Sequence, residues 1–503
     1  MNERKIGIFI SYLNIFLQTL INIIYVPILL HYIGKSEYGL YQLIGSFIAY
    51  FSIMDFGLTA AVTRFYTKYK ALNDKLNMEN ILAISMRGYI IVTFILIFLG
   101  SICYWQIENI FHYSMTPSEI TSAKKLLILL LLNVMISMLG MVFRAVINAH
   151  EKFLFLKGIE TVQLVLQPIL IILILQEYPY AFSVALIQTI LNLVLNILRY
   201  IYCKKKLNIT IKYHYWDSIL FKEFKKLALS VFLVTIIDQI FFKTNQIILG
   251  IVSGTTAVAI YAIASLIYMN YMALSVAISS VYLPHITELI AKKEPIKVLS
   301  NLFIEIGRWQ YFLLGAVLSS FIIFGQQFIN IWAGEGFEES YWITLLIIVP
   351  FTIDLIQNIG LVILQAQNRY NFRAKIYFFM GIFNICLAIP LGITYGGIGC
   401  AFATGLSMFI GNGLIMNWYY SKVIGLDIIA FWNGILLITI QILGLFILFL
   451  VFNLYTYTSN NIIFICKLIL YSICYSFIIY KFCMNDIERL KVKHIFIKRR
   501  KSS

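Results

Sequence analysis

The sequence predicts an all-α polytopic membrane protein with about fourteen transmembrane helices. Of its 503 residues, 61% are hydrophobic and only 12% are charged, whereas a soluble domain carries about 25% charged residues. Apolar runs long enough to cross a bilayer core of about 30 Å recur along the whole chain. The alternating pattern of barrel strands is absent, and backbone groups in lipid must be hydrogen-bonded internally, so these runs are predicted to be helices.

An internal repeat organises these helices. The runs fall at about 8–30, 39–63, 81–104, 126–148, 158–177, 180–201, 227–250, 257–281, 309–331, 341–364, 374–394, 397–419, 430–453 and 461–482. Ile28–Ser46 resembles Ile247–Ser265, 219 residues later, and Asn148–Phe153 resembles Gln365–Tyr370, 217 residues later. A near-constant offset indicates duplication. Because six spans preserve orientation, the sequence predicts two parallel six-helix repeats that form two lobes around a central cavity.

The repeat and the charge distribution together predict the domain organisation. We expect an N-lobe with helices 1–6 at 1–202, a basic amphipathic cytoplasmic linker at 203–226, a C-lobe with helices 7–12 at 227–424, two extra helices at 425–485, and a basic cytoplasmic tail at 486–503. The linker is expected to form a helix on the inner leaflet, and the tail to contact anionic membrane lipids.

The basic residues predict the orientation. If the N-terminus is inside, 34 of the 39 Lys and Arg residues lie in inner segments, and the outer loops hold only Lys35, Lys124 and Lys125. The positive-inside rule therefore places both termini in the cytoplasm. It also explains the net charge of +16 without a nucleic-acid partner. The seven cysteines form no C-x-x-C pair and lie mostly in apolar runs, which indicates small hydrophobic side chains and no metal or cofactor site.

Amide side chains form stripes within several spans. Asn14, Gln18 and Asn22 are spaced four residues apart on predicted helix 1, and Asn358 lies on helix 10. Stripes of this kind line a water-filled cavity or join helices through hydrogen bonds. We expect a cavity for helix 1 and for helix 7, its equivalent in the second repeat. For the stripe of Gln188, Asn192 and Asn196 on helix 6, we favour hydrogen bonds between helices.

Ionisable residues within the spans are the sharper signal. Asp238, Asp354 and Lys243 lie near mid-membrane by count, and Asp55 lies near the inner end of helix 2. Charges at such depths must pair or face water, so the three aspartates are candidate sites for a coupling ion. A buried structural pair between Lys243 and Asp354 is the alternative. The chain carries no D-x-D, H-E-x-x-H, G-x-S-x-G or P-loop motif, which argues against an enzyme.

Three short motifs carry a resemblance to a known family. They are G-x-x-x-Y-G-L-Y at Gly34–Tyr41, D-F-G-L at Asp55–Leu58, and the Q-A-x-N-R-Y turn at Gln365–Tyr370. The chain is similar to the polysaccharide (oligosaccharidyl-lipid) flippases, whose superfamily also holds multidrug exporters and peptidoglycan-precursor flippases. The resemblance implies a flippase of the inner (cytoplasmic) cell membrane. It would move an undecaprenyl-type polyprenyl-pyrophosphate oligosaccharide to the outer leaflet by alternating access, for surface polysaccharides such as O-antigen.

The resemblance also implies H⁺ or Na⁺ coupling and a polysaccharide polymerase as a partner. Peptidoglycan-precursor flippases have basic residues on helix 1, which this chain lacks. A pyrophosphate needs cations, and sugars need amides. The candidate substrate-binding residues are therefore Asn14, Gln18, Asn22, Arg64, Arg87, Arg144, Lys243 and Asn358. Positive-inside topology alone would also account for Arg64, Arg87 and Arg144. A cation-coupled multidrug exporter and a membrane enzyme of polysaccharide assembly remain the alternative functions.

Overall fold

The structure is a computed structural model that describes residues 3–55, 58–216, 218–367, 369–456 and 460–500. These residues form helices, turns and connecting segments, and none of them lies in a β-strand. The α-helices are α1 (Glu3–Ser52), α2 (Leu58–Ala71), α3 (Lys75–Phe111), α4 (Pro117–Ala149), α5 (Phe153–Leu175), α6 (Ala181–Lys205), α7 (Ser218–Val252), α8 (Gly254–Ser280), α9 (Leu283–Ala291), α10 (Ile296–Trp332), α11 (Glu339–Ile356), α12 (Asn358–Ala366), α13 (Tyr370–Met408), α14 (Met416–Tyr419), α15 (Ile428–Tyr455), α16 (Asn461–Ile478) and α17 (Asp486–Arg500). A 3₁₀ turn covers Ile53–Asp55, and π-helical turns cover Phe409–Ile415, Tyr420–Ile424 and Ile479–Cys483.

Two glycines turn the chain where the sequence predicts outer loops. Gly34 within α1 has φ 73° and ψ 179°, and Gly396 within α13 has φ 57° and ψ −134°. Both have positive φ, which glycine adopts at little cost. In the described part of the chain, eleven helices are long and apolar enough to span a membrane. Two of them, Leu17–Asp55 and Asn371–Ile424, each contain one of these glycines. The all-helical membrane class is confirmed, and the number fourteen stays a prediction.

The chain divides into two compact units. Unit 1 comprises Met1–Ala262 and Ile389–Gly397, and unit 2 comprises Ile263–Ala388 and Ile398–Ser503. In unit 1, α2, α3 and α4 enclose a core that includes Tyr66, Tyr89 and Val142, all fully buried. In unit 2, α10, α15 and α16 enclose a second core around Phe324, Tyr471 and Tyr475. Burial on one side of each helix leaves its other apolar side exposed, as expected for helices in lipid. The predicted lobe boundaries stay a prediction.

Two residues that the repeat makes equivalent contact each other within unit 1. The Ser36 Oγ and Thr255 Oγ1 atoms lie 3.1 Å apart, and 219 residues separate them in the chain. Both hydroxyls donate to Glu119 Oε1, at 2.5 and 2.7 Å respectively. Gly39 permits this contact, since a Cβ there would lie 1.8 Å from the Thr255 carbonyl oxygen. We call Ser36, Thr255 and Glu119 the latch. It joins the beginnings of the two repeats.

The predicted linker at 203–226 overlaps the end of α6 and the beginning of α7. Residues 206–216, which we call the strap, are not helical, and α7 begins at Ser218 as one continuous helix. Residues 218–226 therefore continue into the next apolar run without a break, and the predicted boundaries of the linker at 203–226 stay a prediction. Asp217 lies outside the described residues. All seven cysteines are free in the structure.

The basic tail begins with a helix that is attached to unit 2. The Glu488 carboxylate of α17 is buried and accepts from Arg308 Nε at 2.7 Å and Arg308 Nη2 at 3.0 Å. Lys491 donates to Glu305 on α10. A bidentate Arg–carboxylate pair fixes the orientation of both partners. The first turns of the tail are therefore held by α10, and the predicted lipid contact concerns the remaining basic residues.

Candidate polar site in unit 1

Three cations from three helices surround one carboxylate in unit 1. Glu160 on α5 accepts from Arg144 Nη2 on α4 at 3.0 Å and from Lys157 Nζ on α5 at 2.9 Å. Arg199 Nη2 on α6 lies 3.4 Å from the same carboxylate. We call these four residues the Glu160 cluster. Three cations and one carboxylate give it two net positive charges. Such an excess within spanning helices is costly unless water or an anion meets it.

The Glu160 cluster is open at one end and buried at the other. The Arg144 side chain is 41% exposed, whereas that of Arg199 is 10% exposed. Arg199 Nη1 donates to Asn196 Oδ1 at 3.2 Å. Arg199 Nε is buried and has no hydrogen-bond partner among the described residues. Because an unpaired buried donor is unfavourable, this atom marks a place for a further acceptor.

A ladder of amides leads away from Arg199. The Asn196 Nδ2 atom donates to Asn192 Oδ1 at 3.0 Å. Asn192 Nδ2 in turn donates to Asn133 Oδ1 at 2.5 Å and to Ser137 Oγ at 2.6 Å on α4. These contacts confirm the prediction that the helix 6 stripe joins helices through hydrogen bonds. Gly140 lets α4 and α6 approach closely at this point, since a Cβ there would lie 1.7 Å from Asn196 Oδ1.

The helix 1 stripe adjoins the Glu160 cluster through one residue. Asn14 Oδ1 accepts from Thr161 Oγ1 on α5 at 2.7 Å, and Thr161 follows Glu160 in the chain. Gln18 is exposed and donates from Nε2 to Asn22 Oδ1 at 3.1 Å. Asn22 is half-buried. The predicted stripe thus begins beside the cations and presents amide groups further along α1.

Asp55 is held by hydroxyl groups. Its Oδ1 atom accepts from Tyr89 OH at 2.6 Å and from Thr59 Oγ1 at 2.9 Å. No Lys, Arg or His of the described chain lies within ion-pair distance of this carboxylate. Phe56 and Gly57, which follow it in the D-F-G-L motif, lie outside the described residues. Asp55 as a coupling-ion residue stays a prediction.

Two predicted cations lie apart from the Glu160 cluster. Arg64 on α2 is exposed, and its guanidinium carbon is 5.9 Å from the centre of the Phe65 ring. Arg87 on α3 is exposed, and its guanidinium carbon is 3.8 Å from the centre of the Tyr213 ring. Neither makes an ion pair within the described chain. Of the three arginines predicted to bind substrate, the structure places only Arg144 in the cluster.

The predicted charges of α7 are half-buried. Asp238 and Lys243 belong to the part of α7 that packs against α1. The Tyr50 hydroxyl is 2.5 Å from Thr244 Oγ1 and donates to the Gln239 carbonyl oxygen at 3.2 Å. Lys243 makes no hydrogen bond or ion pair with the described residues. Its role in substrate binding stays a prediction, as does that of Asp238 in ion coupling.

Asp354 has a different partner from the one considered in the sequence. In unit 2, Arg373 Nη1 and Nη2 lie 3.2 and 3.4 Å from the two carboxylate oxygens of Asp354, and both residues are buried. Asp354 thus has a charged partner within unit 2 that compensates its burial without Lys243. Asn358, the other predicted residue of this region, donates from Nδ2 to Ser275 Oγ at 3.2 Å.

Sequence reasoning missed four of the charged residues that the structure brings together. Glu160, Lys157 and Arg199 complete the Glu160 cluster, and Arg373 completes the pair with Asp354. Lys157, Arg199 and Arg373 fit the positive-inside pattern, so their positions in the sequence offered no reason to assign them a second role in ion pairs. Glu160 carried a usable signal: it is a lone carboxylate at the beginning of an apolar run, three residues after Lys157.

Comparison with known families identifies the chain. A family profile described as "Polysaccharide biosynthesis protein" matches residues 5–290, more than half of the chain. The chain belongs to this family. The match includes the whole Glu160 cluster and the latch. No curated protein sequence matches the chain significantly.

Solved structures show which fold this family member adopts. A structure titled "Lipid II flippase MurJ, inward closed conformation" has a TM-score of 0.72 at 19% identity, and the alignment covers 94% of this chain and 99% of that one. An inward-facing multidrug resistance MATE family transporter of the MOP superfamily has a TM-score of 0.61 at 12% identity, covering 78% and 92% respectively. An outward-facing MATE structure gives 0.54 at 12% identity, covering 84% and 96%. The chain is a multi-pass membrane protein with the fold of MOP-superfamily transporters.

Proposed function

We propose that this protein is a flippase that moves a polyprenyl-pyrophosphate-linked oligosaccharide across the membrane for surface polysaccharide synthesis, and that the Glu160 cluster binds the pyrophosphate. The family supports a role in polysaccharide biosynthesis, and the fold supports transport. A transporter of this kind makes and breaks no covalent bond, so it needs binding groups and no catalytic ones.

The observation that carries this proposal is the charge of the cluster. A pyrophosphate diester bears about two negative charges at neutral pH, and the Glu160 cluster bears two net positive charges. Arginine binds phosphate oxygens through two parallel hydrogen bonds. Arg144 is accessible for the first contact, and Arg199 Nε offers a buried donor that has no partner within the described chain. Glu160 holds the cations together until the substrate arrives.

The sugar requires groups of another kind. Gln18 and Asn22 present amides along α1 from the end where Asn14 contacts Thr161. Amides donate to and accept from sugar hydroxyls without adding charge. With the predicted orientation, the Glu160 cluster lies toward the cytoplasmic side, where loading begins. The prenyl chain stays in the lipid, because its transfer into a polar cavity would be unfavourable.

The test is a reconstituted transport assay. Vesicles containing the protein and a fluorescent polyprenyl-pyrophosphate oligosaccharide are treated with a membrane-impermeant reagent, which reports how much substrate reaches each leaflet. We expect Arg144→Gln and Arg199→Gln to lower the flipping rate at least tenfold, because each removes a charge-assisted bond of about 1.5–3 kcal/mol. Arg144→Lys should retain part of the rate, since it keeps the charge but loses the paired donors.

Lys125→Gln is the matched control, because Lys125 is an exposed cation on the same helix, α4. Equal flipping by the parent and by both arginine variants, at equal membrane insertion, would contradict the proposal. If the protein is instead a multidrug exporter, it should transport organic cations and leave the lipid-linked sugar in its original leaflet. A membrane enzyme of polysaccharide assembly would change the mass of the sugar chain.

A further inference from the structure

A second polar cavity lies in unit 1, apart from the Glu160 cluster. Its volume is about 270 Å³. The end of α2, the beginning of α3, the residue after α4 and the strap enclose it. It is lined by Tyr66, Lys70, Asn73, Lys75, Met78, Glu79, Leu82, His150, Leu207, Asn208, Ile209 and Thr210. Pockets for drug-sized ligands measure about 300–1,000 Å³, so this cavity suits a smaller polar group.

Cationic donors are available in this cavity. Lys70 Nζ donates to the Ala149 carbonyl oxygen at 3.0 Å, which uses one of its three hydrogens. Lys75 makes no hydrogen bond or ion pair with the described residues. The carboxylate in the lining, Glu79, accepts from Thr210 Oγ1 and lies 2.9 Å from His214 Nε2. The acid is thus engaged by the strap, while both ammonium groups keep hydrogens for a ligand.

His150 lines the cavity and lies near two lysines. Its Nε2 atom is 3.1 Å from Tyr66 OH. Burial, followed by the positive charges of Lys70 and Lys152, lowers the pKa of His150 to about 4. The two lysines that contribute to this shift, Lys70 and Lys152, place positive charge beside the cavity. Their charges would favour an anion there.

The strap that covers the cavity is held in a defined position. Asn80 Nδ2 donates to the Tyr215 carbonyl oxygen at 2.9 Å, and Asn80 Oδ1 accepts from His214 N at 3.1 Å. The guanidinium of Arg87 stacks on Tyr213. Hydrogen bonds to the strap backbone and a cation–π contact fix an otherwise exposed segment. The strap, which lines the cavity from Leu207 to Thr210, is therefore held in place by contacts with α3.

We propose that this cavity binds a phosphate group on a small polar molecule, which is either a soluble phosphate ester or a phospholipid headgroup. Lys75 and Lys70 would contact the phosphate oxygens. The nearby amides of Asn73 and Asn208 would contact the polar remainder. This site is separate from the Glu160 cluster, and its occupancy does not depend on whether that cluster binds a pyrophosphate.

Chemical footprinting of lysines tests the proposal on the full chain. The protein is purified in a maltoside detergent, which contains no phosphate, and its lysines are modified with an amine-reactive reagent and quantified by mass spectrometry. One arm adds glycerol 3-phosphate, and a second adds phosphatidylglycerol to the micelles. Sodium chloride at matched ionic strength is the reference for both arms. Lys68 is the internal control, since it is an exposed lysine of α2 outside the cavity lining.

We expect the modification rate of Lys75 to fall at least fivefold in one arm while that of Lys68 is unchanged. Protection by glycerol 3-phosphate identifies a soluble ester, and protection by phosphatidylglycerol alone identifies a lipid headgroup. Lys75→Gln should lose the binding of the effective ligand, measured by equilibrium dialysis or native mass spectrometry, and Lys68→Gln should retain it. Because Lys75 is exposed, Lys75→Gln should fold normally. Equal rates at Lys75 in both arms and the reference, or undiminished binding by Lys75→Gln, would overturn the proposal.

Discussion

The latch offers the sharpest test of how the two repeats are connected. If the protein works by alternating access, as its proposed function implies, we expect a second state in which the contact of Ser36 and Thr255 with Glu119 is broken. Glu119→Gln removes the charge of the shared acceptor and keeps its size. Glu119 also accepts from Thr116 N at 2.9 Å, so the glutamine oxygen should remain with that backbone donor. The amide nitrogen would then face two hydroxyls, which rotate to accept.

The expected magnitude follows from these hydrogen bonds. A hydrogen bond to a charged group contributes about 1.5–3 kcal/mol, roughly twice that of a neutral one. Replacing two charged bonds by neutral ones weakens the latch by about 1.5–3 kcal/mol in total. An equilibrium between closed and open states would shift by a factor of between about 10 and about 150.

Thiol accessibility measures this shift. Leu43 is fully buried, and a Cβ at Gly250 would lie 2.5 Å from its Cδ1 atom, so this leucine reports contact between α1 and α7. In a background without the native cysteines, we expect Glu119→Gln to increase maleimide labelling of Leu43→Cys by the same factor. Val142→Cys, buried in the core of α2, α3 and α4, is the control for general loosening. Unchanged labelling at Leu43→Cys would refute the reasoning.

Three further predictions concern charged or titratable residues. Asp354→Asn or Arg373→Gln should destabilise the protein by about 3–5 kcal/mol in thermal unfolding, because each leaves a buried partner uncompensated; equal melting temperatures would contradict this. The free energy of unfolding of the parent should fall as the pH falls from 6.5 toward about 4. In that range His150 takes up a proton only in the unfolded chain, because its pKa in the folded chain is about 4. His150→Gln should therefore flatten the stability profile measured between these pH values. Lys243→Met should abolish flipping while leaving insertion intact, and normal flipping would make Lys243 a structural residue.

The sequence by itself determined the all-helical membrane class of the protein. Lipid forces every spanning segment to satisfy its own backbone, so hydropathy alone predicted helices without strands. The 219-residue offset makes Ser36 and Thr255 equivalent in sequence, and the structure adds that these two residues contact each other. Spacing along one helix also predicted the amide stripe of α6, because side-chain direction follows from the helical period.

Only the tertiary structure decided which charges meet. Arg144, Glu160 and Arg199 lie on three different helices, and their contact depends on how α4, α5 and α6 are rotated and packed. Asp354 pairs with Arg373, which the positive-inside rule had already explained as a topology signal. The sequence pattern predicts how deep a side chain lies in the membrane and on which face of its own helix it lies. Its partner is determined by the close approach of other helices, which depends on packing along their whole length.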